Sequence, residues 1–539
     1  MTESQNLQTH SLFFGLGICI HIFAFRVGEW DLSTTRLMWF FAFGITLLTS
    51  VLINSVPRDL DALSAAAKAS LSLTSTLIMG IYVSLLVTRP VSPTEPLSGA
   101  FACTIFKFLH HLTGYQKFKI FIGDMEILSE LAQPSCLSTT RKQSCRSTRA
   151  DLLARKARGT EYWTQYTPYN SFEININMLS GEKPLKDYEF RVADYTNQLL
   201  LQIDAHLGQP FDLADWFNFY SFDVMGDLAF GKSFGMLRDG IKHYFMNCLH
   251  TDMQNIGRFS HMLWLFPIFK NTPILNANNK RFWKFVTSQV DERIKNSPDR
   301  PDVFSWILQD YKKIQMPTRQ DTLNFYGDAY LIIVAGSDTT AASLTCLFFE
   351  LAQKPLIYER LREEIDNYFA QHTEPEHSVL SRLPYLQACI DEALRLHPPV
   401  PSGLQRITPP EGMEIDGTII PGDTIVRIPT YTMQRDERCF PRADEFIPER
   451  WISRPELAAD PAAFAPFGIG RYSCVGKQLG LMEIRYCVSQ IVHRYNVAFS
   501  SGQTSKAFVE GKKDGFTLSL PELEVIFERR EAGAHNARE

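Results

Sequence analysis

Apolar residues are concentrated in three long segments near the N-terminus, over residues 12–25, 37–53 and 69–87. Each segment approaches the ~20 residues that a helix needs to cross the hydrocarbon core of a membrane. The pattern therefore predicts a membrane anchor over residues 1–88, with up to three transmembrane helices. A cleaved signal peptide is the alternative for the first segment, which is short and contains His21, but no lysine or arginine precedes it.

Prolines follow the third apolar segment at Pro90, Pro93 and Pro96. Proline fixes the backbone torsion φ and cannot continue a helix, so residues 89–100 are predicted to form a semi-rigid hinge. Positively charged residues stand beside and after this hinge, at Arg89, Lys107, Lys117 and Lys119. Because such residues prefer the cytosolic side of a membrane, they favour a cytosolic location for the rest of the chain.

Two later segments carry helical patterns. Residues 212–234 place aromatic side chains at helical spacing, and Asp212 is in the position of an N-cap. We interpret this aromatic stripe mainly as core. Residues 329–349 are almost entirely apolar or hydroxyl-bearing, and Asp338 is their only charge.

A fourth membrane span is the alternative for residues 329–349. An aspartate at the centre of a span costs roughly 2.5–3.5 kcal/mol on insertion scales. Here Asp338 and Gly336 stand among hydroxyl-bearing residues, namely Ser337, Thr339, Thr340 and Ser343. This polar patch favours a long helix through the core of a globular protein.

The region from residue 134 to residue 181 shows no recognisable helical pattern. A basic run is followed by polar and aromatic residues. Three interpretations stay open: a solvated or disordered surface, a contact with anionic lipid or a partner, and an incorrectly spliced gene model. A regular helical pattern begins again near Lys186.

Composition and charge argue against some classes of protein. The 539 residues carry a net charge of −5, which gives no reason to expect a nucleic acid partner. Ten cysteines are scattered without a CxxC pair. This argues against a disulfide framework or a structural zinc site and fits a reducing compartment.

One cysteine, Cys474, stands in a glycine-rich stretch, Phe467–Gly476, ahead of a helical pattern. Gly470 and Gly476 allow the backbone to turn tightly and to approach a flat group closely. Backbone N–H groups around the sulfur would stabilise a thiolate, and a thiolate axial ligand on haem iron favours O–O cleavage. A buried structural thiol is the alternative, because free cysteine usually acts as a small apolar residue.

This stretch resembles the haem-binding loop of the cytochrome P450 superfamily, FxxGxRxCxG. Four positions of the family motif match, at Phe467, Gly470, Cys474 and Gly476. The family's arginine position holds Tyr472, and an arginine stands one place earlier, at Arg471. The resemblance implies that Cys474 is the axial ligand of the iron of haem b, in a loop formed by the matching residues.

A second motif of the same family, A/G-G-x-D/E-T-T/S, matches residues 335–340 in full. Gly336 has no side chain, so a small ligand can approach the helix backbone there. The hydroxyl of Thr339 beside the carboxylate of Asp338 can relay protons, and the resemblance implies that this pair is catalytic. The alternative is that the hydroxyls only bond to the preceding turn of their helix.

A third motif, ExxR, is formed by Glu392 and Arg395. The spacing of three puts both side chains on one helix face, close enough to pair. The helix is apolar, so the pair is expected to be buried. Arg450 lies in a Pro-Glu-Arg-Trp sequence that resembles the family's PERW motif and implies a third member. The role of the three is structural, since breaking a buried pair costs about 3–5 kcal/mol.

The resemblance also implies positions that contact the haem propionates and the substrate. We find no counterpart of the family's WxxxR pair, and charged propionates need fixed cationic donors. Arg406 stands where the family has a propionate-binding arginine, so the resemblance makes it the best remaining candidate for a propionate ligand, and Arg471 is the second. Val400 and Leu404, shortly before Arg406, and Phe516 near the C-terminus correspond to substrate-lining positions of the family.

Together these motifs imply a mainly α-helical protein with a small β region, the cytochrome P450 fold, preceded by transmembrane helices. Length alone would suggest three or four domains, but the motifs span most of the chain and imply one catalytic domain over residues 101–530. Residues 531–539 form a charged tail, and fraying is expected from Glu528 onward.

The resemblance implies a haem-thiolate monooxygenase that inserts one oxygen atom from O2 into an apolar small molecule, by hydroxylation or epoxidation. Its pattern is similar to fungal members of secondary metabolism. NADPH and flavins would act through a separate partner, NADPH–cytochrome P450 reductase. The expected location is the lipid membrane of the endoplasmic reticulum, with the catalytic domain facing the cytosol. Two alternatives stay open: an isomerase or dehydratase of the same fold, and a non-catalytic membrane protein that has lost haem binding.

Overall fold

The computed structural model describes residues 182–259, 272, 274–296, 302–415, 417–470 and 473–530. Some of the predictions above fall outside the described residues. These are the membrane anchor and hinge over 1–100, the region 134–181, Arg471, Tyr472 and the charged tail over 531–539.

Helices form most of the described part of the chain. The α-helices are α1 Glu182–Ala205, α2 Leu213–Phe230, α3 Met236–Asp239, α4 Tyr244–Phe259, α5 Ala277–Lys295, α6 Val303–Lys312, α7 Arg319–Gln353, α8 Pro355–Phe369, α9 His377–Leu380, α10 Pro384–Leu396, α11 Thr430–Met433, α12 Lys477–Arg494 and α13 Ser505–Gly511. Short 3-10 helices lie at Pro448–Trp451, Pro455–Leu457 and Pro461–Ala463. The predicted mainly helical fold is confirmed.

The strands are short and form small antiparallel sheets. They are β1 Pro210–Asp212, β2 Gln405–Ile407, β3 Met413–Ile415, β4 Thr418–Ile420, β5 Ile425–Arg427, β6 Tyr495–Phe499, β7 Lys513–Gly515, β8 Thr517–Ser519 and β9 Glu524–Arg529. A three-stranded sheet has the order β1-β9-β6, and the pairs β2-β5, β3-β4 and β7-β8 are two-stranded. The β7-β8 pair is a hairpin that pairs Gly515 with Thr517.

Helix α2 is the predicted aromatic segment. The side chain of Asp212 accepts the backbone N–H of Ala214 at 2.9 Å, so Asp212 is the N-cap, as predicted. The helix ends at Phe230, earlier than the pattern indicated, because Gly231 takes a left-handed conformation with φ of 72°. Its aromatic side chains other than Trp216 are buried, which confirms their interpretation as core: Phe217, Phe219, Tyr220, Phe222 and Phe230.

Helix α7 is 35 residues long and contains the second family motif, residues 335–340. It begins with a capping box, in which Thr318 and Asp321 each accept the backbone N–H of the other, at 3.2 and 2.8 Å. Among the described helices, α7 alone is long and apolar enough to cross a membrane, and most of it is buried inside the protein. Its burial agrees with the predicted core helix.

The expectation of fraying from Glu528 onward is wrong for residues 528–530. Glu528 and Arg529 belong to β9, which pairs with β6. Val525 and Phe527 are buried while Glu528 and Arg529 are exposed, so the segment follows the inward and outward alternation of a strand. The charged residues of this segment suggested fraying, but its apolar residues Val525 and Phe527 lie at alternate positions and point into the core.

A buried histidine joins the C-terminal end of α7 to the C-terminal hairpin. His397, just after α10, lies 2.8 Å from the carboxylate of Glu350 through Nε2 and 3.0 Å from Lys512 Nζ through Nδ1. Because an ammonium group can only donate, Nδ1 must be the unprotonated nitrogen and Nε2 the donor to Glu350. Burial and the charge of Lys512 lower the pKa of His397 from 6.5 to about 4.

We expect this histidine to make the folded protein less stable in mild acid. The unfolded chain binds a proton at His397 between pH 6.5 and about 4, whereas the folded chain does not. The resulting stability is present above pH 6.5 and is lost as the pH falls towards 4. Linkage gives a loss of about 2 kcal/mol between pH 7 and pH 5.

Urea unfolding of the wild type and of His397→Gln at pH 7 and pH 5 checks this expectation. Glutamine can still donate to Glu350 but does not titrate. The variant should therefore show a smaller decrease in the free energy of unfolding between the two pH values. An equal decrease in both proteins would contradict the assignment of a neutral, buried imidazole.

Candidate active site

The loop that contains Cys474 is closed by its own backbone. The N–H of Cys474 donates to the carbonyl of Phe467 at 2.7 Å, and the N–H of Ser473 donates to Gly470 at 3.1 Å. Gly468 and Gly470 have φ of 69° and 82°, in the left-handed region that favours glycine. The predicted tight turn at Gly470 is therefore present.

Gly476 differs from the sequence interpretation. Its φ is −83°, which any residue adopts, and a Cβ built there would lie 3.9 Å from the sulfur of Cys474, an ordinary contact. The tight turn is made by Gly468 and Gly470 instead. Gly476 is the N-cap of α12, and its position matters because it places the first backbone N–H groups of that helix beside the sulfur.

The sulfur of Cys474 lies at the N-terminus of α12 and its residue is exposed. Desolvation by the surrounding protein raises the pKa of the Cys474 thiol. The N–H groups of Gly476 and Lys477 and the charge of Lys477 act in the opposite direction. These groups favour a thiolate, which is the protonation state that binds a metal.

Helix α7 presents one accessible line of side chains although most of the helix is buried. Leu331 is 52% exposed, Ala335 is exposed and Thr339 is partly exposed. These residues are spaced by four and therefore lie one above the other on a single helix face. The line consists of an apolar residue, a small residue and a hydroxyl, and it is available to a bound molecule.

Gly336 does not leave room for a ligand in the way the sequence suggested. A Cβ at Gly336 would lie 2.6 Å from Sδ of Met225 on α2, so the missing side chain allows α2 and α7 to pack closely. The position does require a glycine, but the reason is the close packing of α2 and α7 and not the approach of a ligand. The accessible small residue on the helix is Ala335.

The cysteine loop and the polar turn of α7 are neighbours. Gly480, in the first turn of α12, packs against Thr340, because a Cβ at Gly480 would lie 3.5 Å from Oγ1 of Thr340. The N–H of Gly480 donates to the carbonyl of Gly476 at 2.9 Å. The fold therefore brings the segment that carries Cys474 to the motif that contains Asp338 and Thr339.

Asp338 and Thr339 make separate hydrogen bonds. The hydroxyl of Thr339 donates to the carbonyl of Ala335 at 2.6 Å, which is the bond to the preceding turn that the sequence left as an alternative. The carboxylate of Asp338 lies 3.3 Å from Nε2 of His250 and accepts the hydroxyl of Thr517 at 3.2 Å. His250 is 88 residues away in the chain, and no sequence signal identified it.

The structure brings Glu392, Arg395 and Arg450 together in the interior, and all three side chains are 0% exposed. Arg395 makes two parallel bonds of 2.9 Å to the carboxylate of Glu392, and Nε of Arg450 donates to the same carboxylate at 3.2 Å. Burial lowers the pKa of Arg450, and the charge of Glu392 opposes this effect. The carboxylate also accepts the indole N–H of Trp451 at 3.0 Å.

Gln434, which the sequence analysis missed, connects this buried ion pair to the cysteine loop. Arg395 donates to the carbonyl of Gln434 at 2.8 Å, and the Gln434 amide donates to the carbonyl of Leu394 at 3.0 Å. The side-chain oxygen of Gln434 accepts the N–H of Ala465 at 3.3 Å, two residues before Phe467. A single buried glutamine gives no pattern in sequence, so only the fold shows this link.

Arg406 lies in β2 and is partly exposed, and its guanidinium donates to the carbonyl of Gln405 at 2.8 Å. It thus stands on a strand as a partly exposed cationic residue. Arg471, the second candidate for an anion ligand, lies outside the described residues.

The three predicted substrate-lining positions lie on segments that contact each other. The N–H of Leu518 in the hairpin donates to the carbonyl of Pro399, beside Val400, at 2.9 Å. Leu404 is 46% exposed, and Phe516, at the tip of the hairpin, has φ of 75°. The loop after α10 and the β7-β8 hairpin therefore lie side by side, as neighbouring walls of the predicted substrate region.

The residues present fit a haem with a thiolate ligand. The donor set is the single sulfur of an exposed residue, with two backbone N–H groups beside it. In the described part of the chain, no group of three His, Cys, Asp or Glu residues could hold a metal ion. A ligand that brings its own nitrogen donors to iron, as a porphyrin does, needs only this one sulfur.

A mainly helical fold with a thiolate-forming cysteine loop beside a long core helix defines the class of haem-thiolate proteins. The family model described as Cytochrome P450 matches residues 174–527. The chain belongs to the cytochrome P450 family, and this family implies a haem cofactor.

Characterised relatives support an oxidoreductase of the monooxygenase type. Cytochrome P450 monooxygenase FCK2 of Fusarium pseudograminearum is 44% identical, over 97% of this chain and 98% of its own length. Tryprostatin B 6-hydroxylase of Aspergillus fumigatus is 32% identical, over 96% of this chain and 95% of its own length. Both alignments extend over nearly the whole chain, and the protein is a cytochrome P450 oxidoreductase.

A solved structure supports the fold. The crystal structure of the cytochrome P450DA heme domain has a TM-score of 0.59 and 18% sequence identity, and the match covers 71% of this chain and 86% of that chain. This likeness confirms the cytochrome P450 fold that the motifs implied.

Proposed function

We propose that the protein is a membrane-anchored haem-thiolate monooxygenase that inserts one oxygen atom from O2 into an apolar small molecule, by hydroxylation or epoxidation. The observation that carries the proposal is the sulfur of the exposed residue Cys474, faced by the N–H groups of Gly476 and Lys477, in a loop whose following helix packs on Thr340 of α7. A thiolate and the acid and hydroxyl motif are thereby close in space.

The haem b group supplies the activation of dioxygen when it is bound. The role of Cys474 is to donate a thiolate to its iron, and the two backbone N–H groups limit how basic that thiolate is. Arg406 would bind one propionate, since it is a partly exposed residue whose guanidinium is always charged. Arg471 is the second candidate for this role. Phe467 and Gly470 hold the shape of the loop, because the carbonyl of Phe467 and the turn at Gly470 orient Cys474.

Protons would be handled by Asp338 and Thr339. The hydroxyl of Thr339 stands on the accessible line of α7, and Asp338 is its buried neighbour. Because the hydroxyl oxygen keeps free acceptor capacity while it donates to Ala335, it can accept one proton and pass on another. Asp338 would supply that proton from its carboxyl group when the group is protonated.

The substrate is proposed to be an apolar small molecule of fungal secondary metabolism. Leu331 and Leu404 are exposed apolar side chains, and Val400 and Phe516 belong to the neighbouring walls described above. The relative from Aspergillus fumigatus is named for hydroxylation of tryprostatin B. This name supports a related role in metabolite oxidation.

Electrons would come from NADPH through the flavins of NADPH–cytochrome P450 reductase. The apolar segments of residues 1–88 and the prolines of residues 89–100 favour an anchored enzyme. Its catalytic domain, residues 101–530, would face the cytosol from the endoplasmic reticulum membrane. NADPH-dependent oxygen uptake by the purified chain with reductase and candidate metabolites tests the proposal; uptake without an oxygenated product from any of them would oppose it.

We expect Thr339→Ala to separate electron use from product formation. The variant loses the hydroxyl beside Asp338 but should keep its haem, because Thr339 bonds only to its own helix. Proton relay by a positioned group is typically worth 10²–10⁴-fold, so product per NADPH should fall by at least about tenfold, with the reduced oxygen released as hydrogen peroxide.

Thr345→Ala is the matched control for this variant. Thr345 lies on the same helix and donates to the carbonyl of Ala341 at 2.8 Å, the same type of bond. Product and peroxide are measured per NADPH consumed. Normal coupling in Thr339→Ala would mean that protons follow another route.

A further inference from the structure

The carboxylate of Asp338 is held by side chains from two distant parts of the chain. Oδ1 lies 3.3 Å from Nε2 of His250 on α4, and Oδ2 accepts the hydroxyl of Thr517 on β8 at 3.2 Å. A buried carboxylate requires such partners because removal from water without them is costly. Helix α4 and the β7-β8 hairpin therefore fix where the carboxylate of Asp338 points.

Helix α4 is locked against the hairpin on the face that contains His250. His250, Gln254 and Gly257 follow the i, i+4, i+7 spacing of one helix face. A Cβ at Gly257 would lie 2.7 Å from the backbone carbon of Gly515, and a Cβ at Gly515 would lie 3.4 Å from Cα of Gln254. This backbone-to-backbone contact leaves little freedom for the helix to slide, so the ring of His250 is held near Asp338.

Asp338 and His250 differ sharply in the exposed fraction of their side chains. The side chain of Asp338 is 7% exposed, whereas that of His250 is 30% exposed. The imidazole thus touches a buried acid with one nitrogen while part of its ring reaches solvent. Histidine is the side chain whose ordinary pKa lies near neutral pH, so an imidazole can both gain and lose a proton there. An accessible imidazole on a buried carboxylate is an arrangement that can deliver protons to the interior.

We propose that His250 is a positioning residue for Asp338 and its proton donor. The inference rests on the proposed function, since it gives Asp338 a role in proton supply. Nε2 of a protonated His250 gives its proton to Oδ1 of Asp338, and the neutral imidazole takes a proton from solvent water. The protonated carboxyl group of Asp338 then gives up this proton towards Thr339 through an intervening water, because the two side chains make separate hydrogen bonds. One proton thus enters from solvent for each proton delivered. Thr517 holds the second oxygen of the carboxylate throughout.

The test compares His250→Gln, His250→Ala and Asp338→Asn in the full-length holoenzyme with reductase. Glutamine keeps a hydrogen-bond donor but cannot exchange protons in this range, whereas alanine removes the contact. His493→Gln is the matched control. His493 lies at the far end of α12 and makes a similar contact of 2.9 Å with Asp366 of α8. Product and hydrogen peroxide are measured per NADPH consumed, and product formation is also driven by added hydrogen peroxide.

We expect His250→Gln to lower product per NADPH by at least about tenfold. This is less than the roughly 10²–10⁴-fold typical of a positioned proton donor, because water can partly replace the imidazole. Product formation driven by hydrogen peroxide should be unchanged, because peroxide brings its own protons. Normal NADPH coupling in His250→Gln would overturn the inference. An equal loss with peroxide would also overturn it, because the effect would then be a general structural one.

A spectroscopic readout tests the positioning part without turnover. The infrared band of carbon monoxide bound to the reduced protein responds to charges and hydrogen bonds near the site. We expect His250→Ala to shift this band, since the freed carboxylate of Asp338 can turn, and His493→Gln to leave it unchanged. An unshifted band in His250→Ala would overturn the positioning role.

The Asp338→Asn variant separates the two levels of the proposal. Loss of coupling in Asp338→Asn with normal coupling in His250→Gln would reject His250 alone. Normal coupling in both variants would reject the proposed role of Asp338 itself.

Discussion

Cys474→Ala is expected to abolish the thiolate-type carbon monoxide spectrum and to reduce product formation to background. Alanine removes the sulfur, and no other described cysteine lies in this loop. The bonds that shape the loop are made by the backbone, from Cys474 N–H to Phe467 and from Ser473 N–H to Gly470, so the fold should persist. The expected loss is therefore one of iron ligation.

The measurement is the reduced carbon monoxide difference spectrum of the purified variant, together with circular dichroism to verify the fold. Cys439→Ala is the control, because Cys439 is a partly exposed cysteine outside the loop. It should keep the wild-type spectrum. A thiolate-type spectrum in Cys474→Ala would exclude this residue as the ligand.

Glu392→Gln is expected to destabilise the protein by about 3–5 kcal/mol, the cost of breaking a buried ion pair from one side. Two guanidinium groups, those of Arg395 and Arg450, would remain in the interior with no carboxylate to balance them. Since marginal stabilities are typically only 5–15 kcal/mol, little folded holoprotein should accumulate.

The matched control is Glu445→Gln. Glu445 pairs with Arg442 at the same i, i+3 spacing, but both side chains are about half exposed, and such surface pairs are worth only about 0–1 kcal/mol. Urea midpoints and haem content of the two variants provide the comparison. Equal stability of the two variants would contradict the structural role of the buried carboxylate.

The buried pair affects the active site through a short chain of bonds. Arg395 binds the carbonyl of Gln434, and the side chain of Gln434 binds the N–H of Ala465 at the start of the cysteine loop. Loss of Glu392 would therefore loosen the segment that orients Cys474. This link explains why a structural motif and a ligand loop occur together in one chain.

Features encoded by local spacing could be predicted from the sequence. Glu392 and Arg395 lie three residues apart on a helix, so their pairing follows from helix geometry. Asp212 stands at the start of an apolar periodic segment and is its N-cap. The long helix around Asp338 was distinguished from a membrane span by its polar patch, and it is mostly buried.

Features that depend on contacts between distant segments could not be predicted. The space beside Gly336 is filled by Met225, 111 positions earlier, and Asp338 is held by His250 and Thr517. The strand that includes Glu528 is ordered by its pairing with β6. For Gly336 and Asp338 the residue type indicated a structural requirement, but the residues that meet it lie far away in the sequence. For Glu528 the charged composition indicated fraying, and only the pairing with β6 shows that the segment is ordered.

The measurement that tests the central claim most directly is the reduced carbon monoxide difference spectrum of the purified wild-type chain, with its haem content. The account predicts one haem per chain and the long-wavelength band of a thiolate-ligated iron. A chain that folds but binds no haem, or that gives the short-wavelength band of a haem without a thiolate ligand, would contradict it.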